Sequence, residues 1–233
     1  MKLPPALFIT GTDTDCGKTH VASALISAYK SQGLRVTGFK PVASGSKSVD
    51  GRLINHDVES LTAHANVQLP AEVINPYIFE PPISPHFAAE QSGVEIELKT
   101  ITDAYQECQK AADIVIVEGA GGWRVPLSPS LDIAGLAAAL NIPVVVVCGL
   151  RLGCINHMLL TVKDINSQGT PICAWVANQI DPQYKNVEDT LATIKQSVSA
   201  PLLARLSHQD RPDPSVAAHS IDLAQIGVAG EAL

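Results

Sequence analysis

The chain of 233 residues is 46% hydrophobic, 17% charged and 4% aromatic, with a formal net charge of −7. That apolar fraction is ample for a core and excludes wholesale disorder, while the length allows one large domain or two small ones. An acidic chain poor in aromatic residues lacks the basic footprint and stacking platforms of a general nucleic-acid binder; a local basic pocket for an acidic small molecule stays open.

In chain order, short β-branched runs alternate with longer helical patterns. Residues 7–10 read as a strand. Residues 18–31 read as a helix, with Val21, Ala22, Leu25, Ile26 and Tyr29 as its apolar stripe and Gly33 as its stop. Strand 36–39 follows. Helix 98–112 leads into strand 114–117, helix 131–140 into strand 144–148, and helix 155–167 into strand 173–177. Helix 187–198 and strand 202–206 close the series. Strands 114–117 and 144–148 are apolar on both faces, as in the middle of a parallel sheet covered on both sides. The expected fold is α/β: an open, mostly parallel sheet flanked by helices on both faces, in one domain over 1–233, with 210–233 loosely held.

Residues 133–150 are uncharged over 18 positions, which just reaches membrane-spanning length. Asn141-Ile142-Pro143 breaks the run between an Ala/Leu half and a valine half, which favours a core helix and a buried strand, and no membrane partner. The five cysteines, at 16, 108, 148, 154 and 173, include no C-x-x-C pair, so reduced thiols in a cytoplasmic protein are expected. The N-terminus does not read as a secretion signal.

Ligands of such sheets bind beyond the carboxyl ends of the strands, so chemistry is sought there. After strand 7–10 comes G11-T-D-T-D-C-G-K-T19, a glycine-rich loop opening a helix. Its backbone amides and the helix start suit phosphate oxygens, Lys18 adds a mobile positive charge, and the Thr19 hydroxyl can ligate Mg²⁺. Five residues rather than four separate its glycines. Lys40, after strand 36–39, is either a solvated lysine or a second cation for a transferring phosphoryl group, and Ser44 could orient a substrate. Asp57 is either a helix N-cap or a hard carboxylate ligand. Glu118, leaving an apolar strand into G119-A-G-G122, suits a metal better than an unpaired turn. The segment G153-C-I-N-H157 offers a helix N-terminus for a carboxylate, and Cys154 reads as structural rather than nucleophilic. Asn178 and Gln179 follow strand 173–177, where an amide could read a purine edge.

Together, G11-T-D-T-D-C-G-K-T19, G38-F-K-P-V-A-S-G-S46, N75-P-Y, S84-P-H, V117-E-G-A-G-G-W123, L152-G-C-I-N-H157 and W175-V-A-N178 resemble the dethiobiotin synthetase family, within the P-loop NTPase superfamily. The blocks run in order from residue 6 to about residue 206. The resemblance implies ATP as co-substrate with Mg²⁺ as cofactor. It places ATP at Asp15, Cys16, Gly17, Lys18, Thr19, His20, Asp57, Glu118, Gly119, Ala120, Gly121, Asn178 and Gln179. It gathers Mg²⁺ at Thr19, Asp57 and Glu118, and makes Lys40 and Lys18 the catalytic cations. It assigns the diamine substrate to Ser44, and its carboxylate to Gly153, Cys154 and Asn156 across a homodimer interface. The implied reaction is ATP-dependent closure of 7,8-diaminononanoate and CO₂ to dethiobiotin. Two positions depart from the pattern: His20 replaces a small apolar residue, and Ser207-His208-Gln209 replaces a Pro-aromatic pair.

The alternative is a partition- or septum-site-type P-loop ATPase switch with no small-molecule product. Such proteins carry a lysine five residues before the loop lysine, where this chain has Asp13. An amidotransferase-linked synthetase would need a further glutaminase domain.

Overall fold

A computed structural model describes residues 4–226. Residues 1–3 and 227–233, the two ends of the chain read above, lie outside the described residues. Six strands form one parallel sheet: β1 (Ala6–Gly11), β2 (Val36–Phe39), β3 (Ile114–Glu118), β4 (Val144–Leu150), β5 (Ile172–Gln179) and β6 (Leu202–Leu206). Their spatial order is β6-β5-β4-β1-β3-β2. The main helices are α1 (Lys18–Ser31), α2 (His56–His64), α3 (Leu98–Ala111), α4 (Ile133–Leu140), α5 (Cys154–Ser167) and α6 (Val187–Ser197).

Alternation along each strand divides the core in two. Phe8, Val115, Val117, Val144 and Val146 face α3 to α6, while Leu7, Ile9, Ile116, Val145 and Val147 face α1 and α2. This two-sided burial is what the continuous valine and isoleucine runs foretell. The uncharged stretch 133–150 is α4, a turn at left-handed Asn141, and β4. No helix among the described residues is long and apolar enough to cross a membrane.

Two expectations are corrected. The α4 pattern begins two residues early, because Leu131–Asp132 pair with Pro126–Ser128 in a hairpin and the Asp132 carboxylate caps α4 by accepting from the Gly135 amide at 2.7 Å. Strand β4 runs two residues further, to Leu150. Beyond the last strand, Pro214–Ala217 forms a short helix against α1, and Ala217, Ile221 and Ile226 are buried there.

The chain leaves β1 for the outer strand β2, returns to β3, then crosses to β4 on the far side of β1. Strands running outward in opposite senses from β1 open a crevice at their carboxyl ends. The loop after β1, Lys40 after β2 and Glu118 at the end of β3 all reach that edge.

Candidate active site

Gly17 begins α1 with φ 93° and ψ 29°, a left-handed conformation that glycine adopts without steric cost. No side chain caps this helix, so its first amides remain available to an anion. Lys18 is nearly buried and curls back, donating to the Asp13 carbonyl at 3.1 Å. Behind the loop, the Asn178 amide donates to the Cys16 carbonyl at 2.9 Å.

Lys40 is fixed through its backbone. Its amide donates to the Ile74 carbonyl at 2.9 Å, and the Asn75 side chain donates to the Lys40 carbonyl at 2.6 Å. This gives the N75-P-Y block a structural job. The Lys40 ammonium is buried, 2.7 Å from Glu118 Oε1 and 2.8 Å from Asp57 Oδ2, and also donates to the Gly119 carbonyl at 3.3 Å. Burial works against its charge, yet Glu118 and Asp57 hold the pKa above the ordinary lysine value. Burial pushes the Glu118 carboxyl up, with Lys40 opposing. Burial also acts on Asp57, but the Lys40 charge and the Thr19 hydroxyl hold it below its usual value.

Asp57 is not the cap of α2. Asn55 takes that role, its side-chain oxygen accepting from the Asp57 and Val58 amides at 3.0 and 3.4 Å. The Asp57 carboxylate is thereby free to face the cleft. The Asn55 amide also donates to the Ser44 carbonyl at 3.2 Å and to the Ser46 hydroxyl at 3.3 Å, tying the Ser44 loop to α2. An Asp50-Gly51 turn, with φ 49° and 76°, closes the Lys47–Val49 and Arg52–Ile54 hairpin that delivers Asn55. Asp-Gly between short strands is a hairpin signal that could have been read in advance.

The Thr19 hydroxyl lies 2.8 Å from both Asp57 Oδ1 and Glu118 Oε1. It has one proton for two carboxylates. Glu118 Oε2 is buried with no partner. Three hard oxygens, one of the carboxylates under-satisfied, fit a Mg²⁺ ion that keeps most of its shell for water and phosphate.

These groups line a cleft of about 830 Å³ together with Asp15, Gly17, Lys18, His20, Ser44, Ala120 and Gly121. Pro82, Ile83 and Pro85 add an apolar lining to the cleft, a contribution not assigned from the sequence. Cys16 faces the core instead, and Gly119 meets the site through its carbonyl. Asn178 lies behind the loop, and Gln179 donates to the Asp181 and Tyr184 carbonyls. Gly153, Cys154 and Asn156 lie at the start of α5, outside this cleft. His20 is half-buried with an unpartnered Nδ1, and burial lowers its pKa despite nearby Asp213.

Comparison with known proteins agrees with this architecture. A family model, AAA_26, described as an AAA domain, matches residues 5–215. The chain belongs to the AAA_26 family. Among solved structures it is similar to the MinC:MinD cell division protein complex of Aquifex aeolicus, with TM-score 0.56, 11% identity and coverage of 98% of this chain and 96% of that one. A ParA family ATPase from Chlorobium tepidum gives TM-score 0.54 and 13% identity over 94% and 90% of the two chains. The signal recognition particle 54 kDa protein of Aeropyrum pernix, solved with GDP, gives TM-score 0.52 and 17% identity over 92% of this chain and 43% of that one. At these identities the likeness defines a P-loop NTPase fold.

Proposed function

We propose that this AAA_26 member is a dethiobiotin synthetase: it carboxylates and cyclises 7,8-diaminononanoate with CO₂ at the expense of ATP. The observation that carries the reading is the buried Lys40 ammonium held between Glu118 and Asp57, one hydroxyl away from the phosphate loop. AAA_26 includes dethiobiotin synthetase, which agrees with the seven sequence blocks.

In this mechanism one substrate amine adds to CO₂, losing a proton, to give a carbamate. A carbamate oxygen attacks the γ-phosphorus and displaces ADP, giving a carbamic–phosphoric anhydride. The second amine attacks its carbonyl carbon, expels phosphate and closes a five-membered urea. No protein nucleophile is needed. The barrier to overcome is repulsion between two anions, carbamate and triphosphate. Lys18 and Lys40 supply positive charge at that junction, and the α1 amides hold the phosphates. Thr19, Asp57 and Glu118 would hold Mg²⁺, which when bound neutralises and orients phosphate oxygens. The Ser44 loop meets the diamine, with Pro82, Ile83 and Pro85 offering apolar contact to its alkyl chain. Gly153, Cys154 and Asn156 of a second copy meet its carboxylate in a cytoplasmic homodimer.

The switch-ATPase alternative shares the fold, but here the position of its characteristic lysine is Asp13, ion-paired with Arg151. An acid there cannot neutralise a partner's phosphates. ADP release measured with each substrate omitted in turn separates the two. Synthetase activity requires both diamine and bicarbonate; a switch hydrolyses ATP without either.

A further inference from the structure

The phosphate loop carries two acids, Asp13 and Asp15. Asp15 lines the cleft, as does Thr14 beside Asp13. Carboxylates in a loop built for triphosphate are electrostatically adverse, since like charges on neighbouring groups repel. Asp13, however, is closely held. Its Oδ1 accepts from the Thr14 amide at 2.8 Å, and its carbonyl accepts from the Lys18 ammonium at 3.1 Å. Its Oδ2 is ion-paired with the Arg151 guanidinium and lies 3.8 Å from His157 Nδ1.

Arg151 has a firm base from which to do this. It follows directly on β4, whose last residue, Leu150, is buried, and its carbonyl accepts from the Cys154 amide at 3.1 Å where α5 begins. The loop is fastened to the same strand. The Thr12 amide donates to the Val147 carbonyl at 3.0 Å, and the Gly149 amide donates to the Thr12 hydroxyl at 3.4 Å. Asp13 therefore stands between a loop anchored to β4 and a cation anchored at the end of β4. Both side chains are exposed, and exposed pairs add little to folding stability. Beside a polyanion the same pair matters more, because exposed charges act over a Debye length, about 10 Å at 0.1 M salt.

We propose that Arg151 is a positioning residue for nucleotide binding: it neutralises and fixes Asp13, so that the loop accepts a triphosphate although it contains two acids. Arg151 acts through Asp13 rather than on the reacting atoms. Without it, the Asp13 charge is uncompensated beside the phosphates, and the carbonyl on which Lys18 rests loses its anchor. The penalty grows with phosphate charge, so a triphosphate suffers more than a diphosphate. Asp13→Asn removes the charge and keeps the contact to the Thr14 amide, because the side-chain oxygen still accepts. The proposal rests on nucleotide binding at the loop and not on the ligase reaction.

Calorimetry of the full-length chain with ATPγS and with ADP, in Mg²⁺, tests this, with thermal unfolding followed in parallel. Arg151→Ala should weaken ATPγS about tenfold and ADP less, with unfolding nearly unchanged. Arg151→Lys should stay within about threefold of the parent. Asp13→Asn added to Arg151→Ala should recover most of the lost affinity, and about 0.5 M salt should shrink the Arg151→Ala effect. Arg151→Gln serves equally should the alanine variant not fold. Unchanged ATPγS affinity in Arg151→Ala, equal losses for ATPγS and ADP, or no recovery with Asp13→Asn would overturn the proposal. Binding is read without turnover, so a chain that behaves in this way but forms no urea overturns the ligase reading alone.

Discussion

Gly17→Ala tests how the phosphate loop is braced. An L-residue at φ 93° pays about 1–2 kcal/mol for left-handed backbone. Its Cβ would also stand 2.0 Å from the Asn178 side-chain nitrogen, which must then move. Asn178 is buried and donates to the Cys16 carbonyl, so displacement leaves two buried polar groups poorly paired, costing about 1–3 kcal/mol. The single variant should therefore lose about 2–5 kcal/mol. In Asn178→Ala the steric conflict vanishes, because the Asn178 Cβ is 4.0 Å from the new methyl. Adding Gly17→Ala in that background should cost only the backbone part, about 1–2 kcal/mol. Urea unfolding of the four proteins, followed by circular dichroism and by tryptophan fluorescence, gives the coupling energy. The expected value is about 1–3 kcal/mol, and costs that add to within about 0.5 kcal/mol would mean that Asn178 does not brace the loop against a Gly17 side chain.

Other substitutions probe the site itself. Lys40→Gln should abolish product formation while an ATP analogue still binds, as calorimetry can show; near-normal turnover would remove Lys40 from the mechanism. Asn55→Ala should lose about 1–2 kcal/mol of stability through the uncapped α2 and reduce turnover by loosening Asp57 and Ser44. Asn55→Asp should keep the cap and restore the stability. For His20 the folded pKa lies below the unfolded 6.5, so the unfolded chain binds more protons as pH falls. Its contribution is intact above 6.5 and is lost as pH falls from there toward the folded value, so His20→Val should flatten that part of the stability profile.

The layers were legible because burial on both faces writes itself into the strands: the β3 and β4 runs admit few other readings. Element ends were less so. Leu131 and Asp132 follow the apolar pattern of α4, but pairing with Pro126–Ser128 outweighs it. Lys40 and Glu118 stood out as charges at strand exits. Asp57 did not, because a carboxylate at a helix start looks like a cap, and only the geometry shows Asn55 taking that place. The lining at Pro82, Ile83 and Pro85 was illegible for a different reason. It depends on how a distant excursion folds back, anchored by Asn75 to the Lys40 carbonyl and by short parallel pairing of Val42–Ala43 with Tyr77–Ile78.

In the proposed ligase reaction, bicarbonate carbon becomes the urea carbonyl. The most direct measurement supplies isotopically labelled bicarbonate with diaminononanoate, ATP and Mg²⁺, and follows the label by mass spectrometry. One labelled carbon is expected in a cyclic urea, formed one-for-one with ADP and phosphate. Phosphate release with no labelled urea, or at the same rate without the diamine, would contradict that reaction.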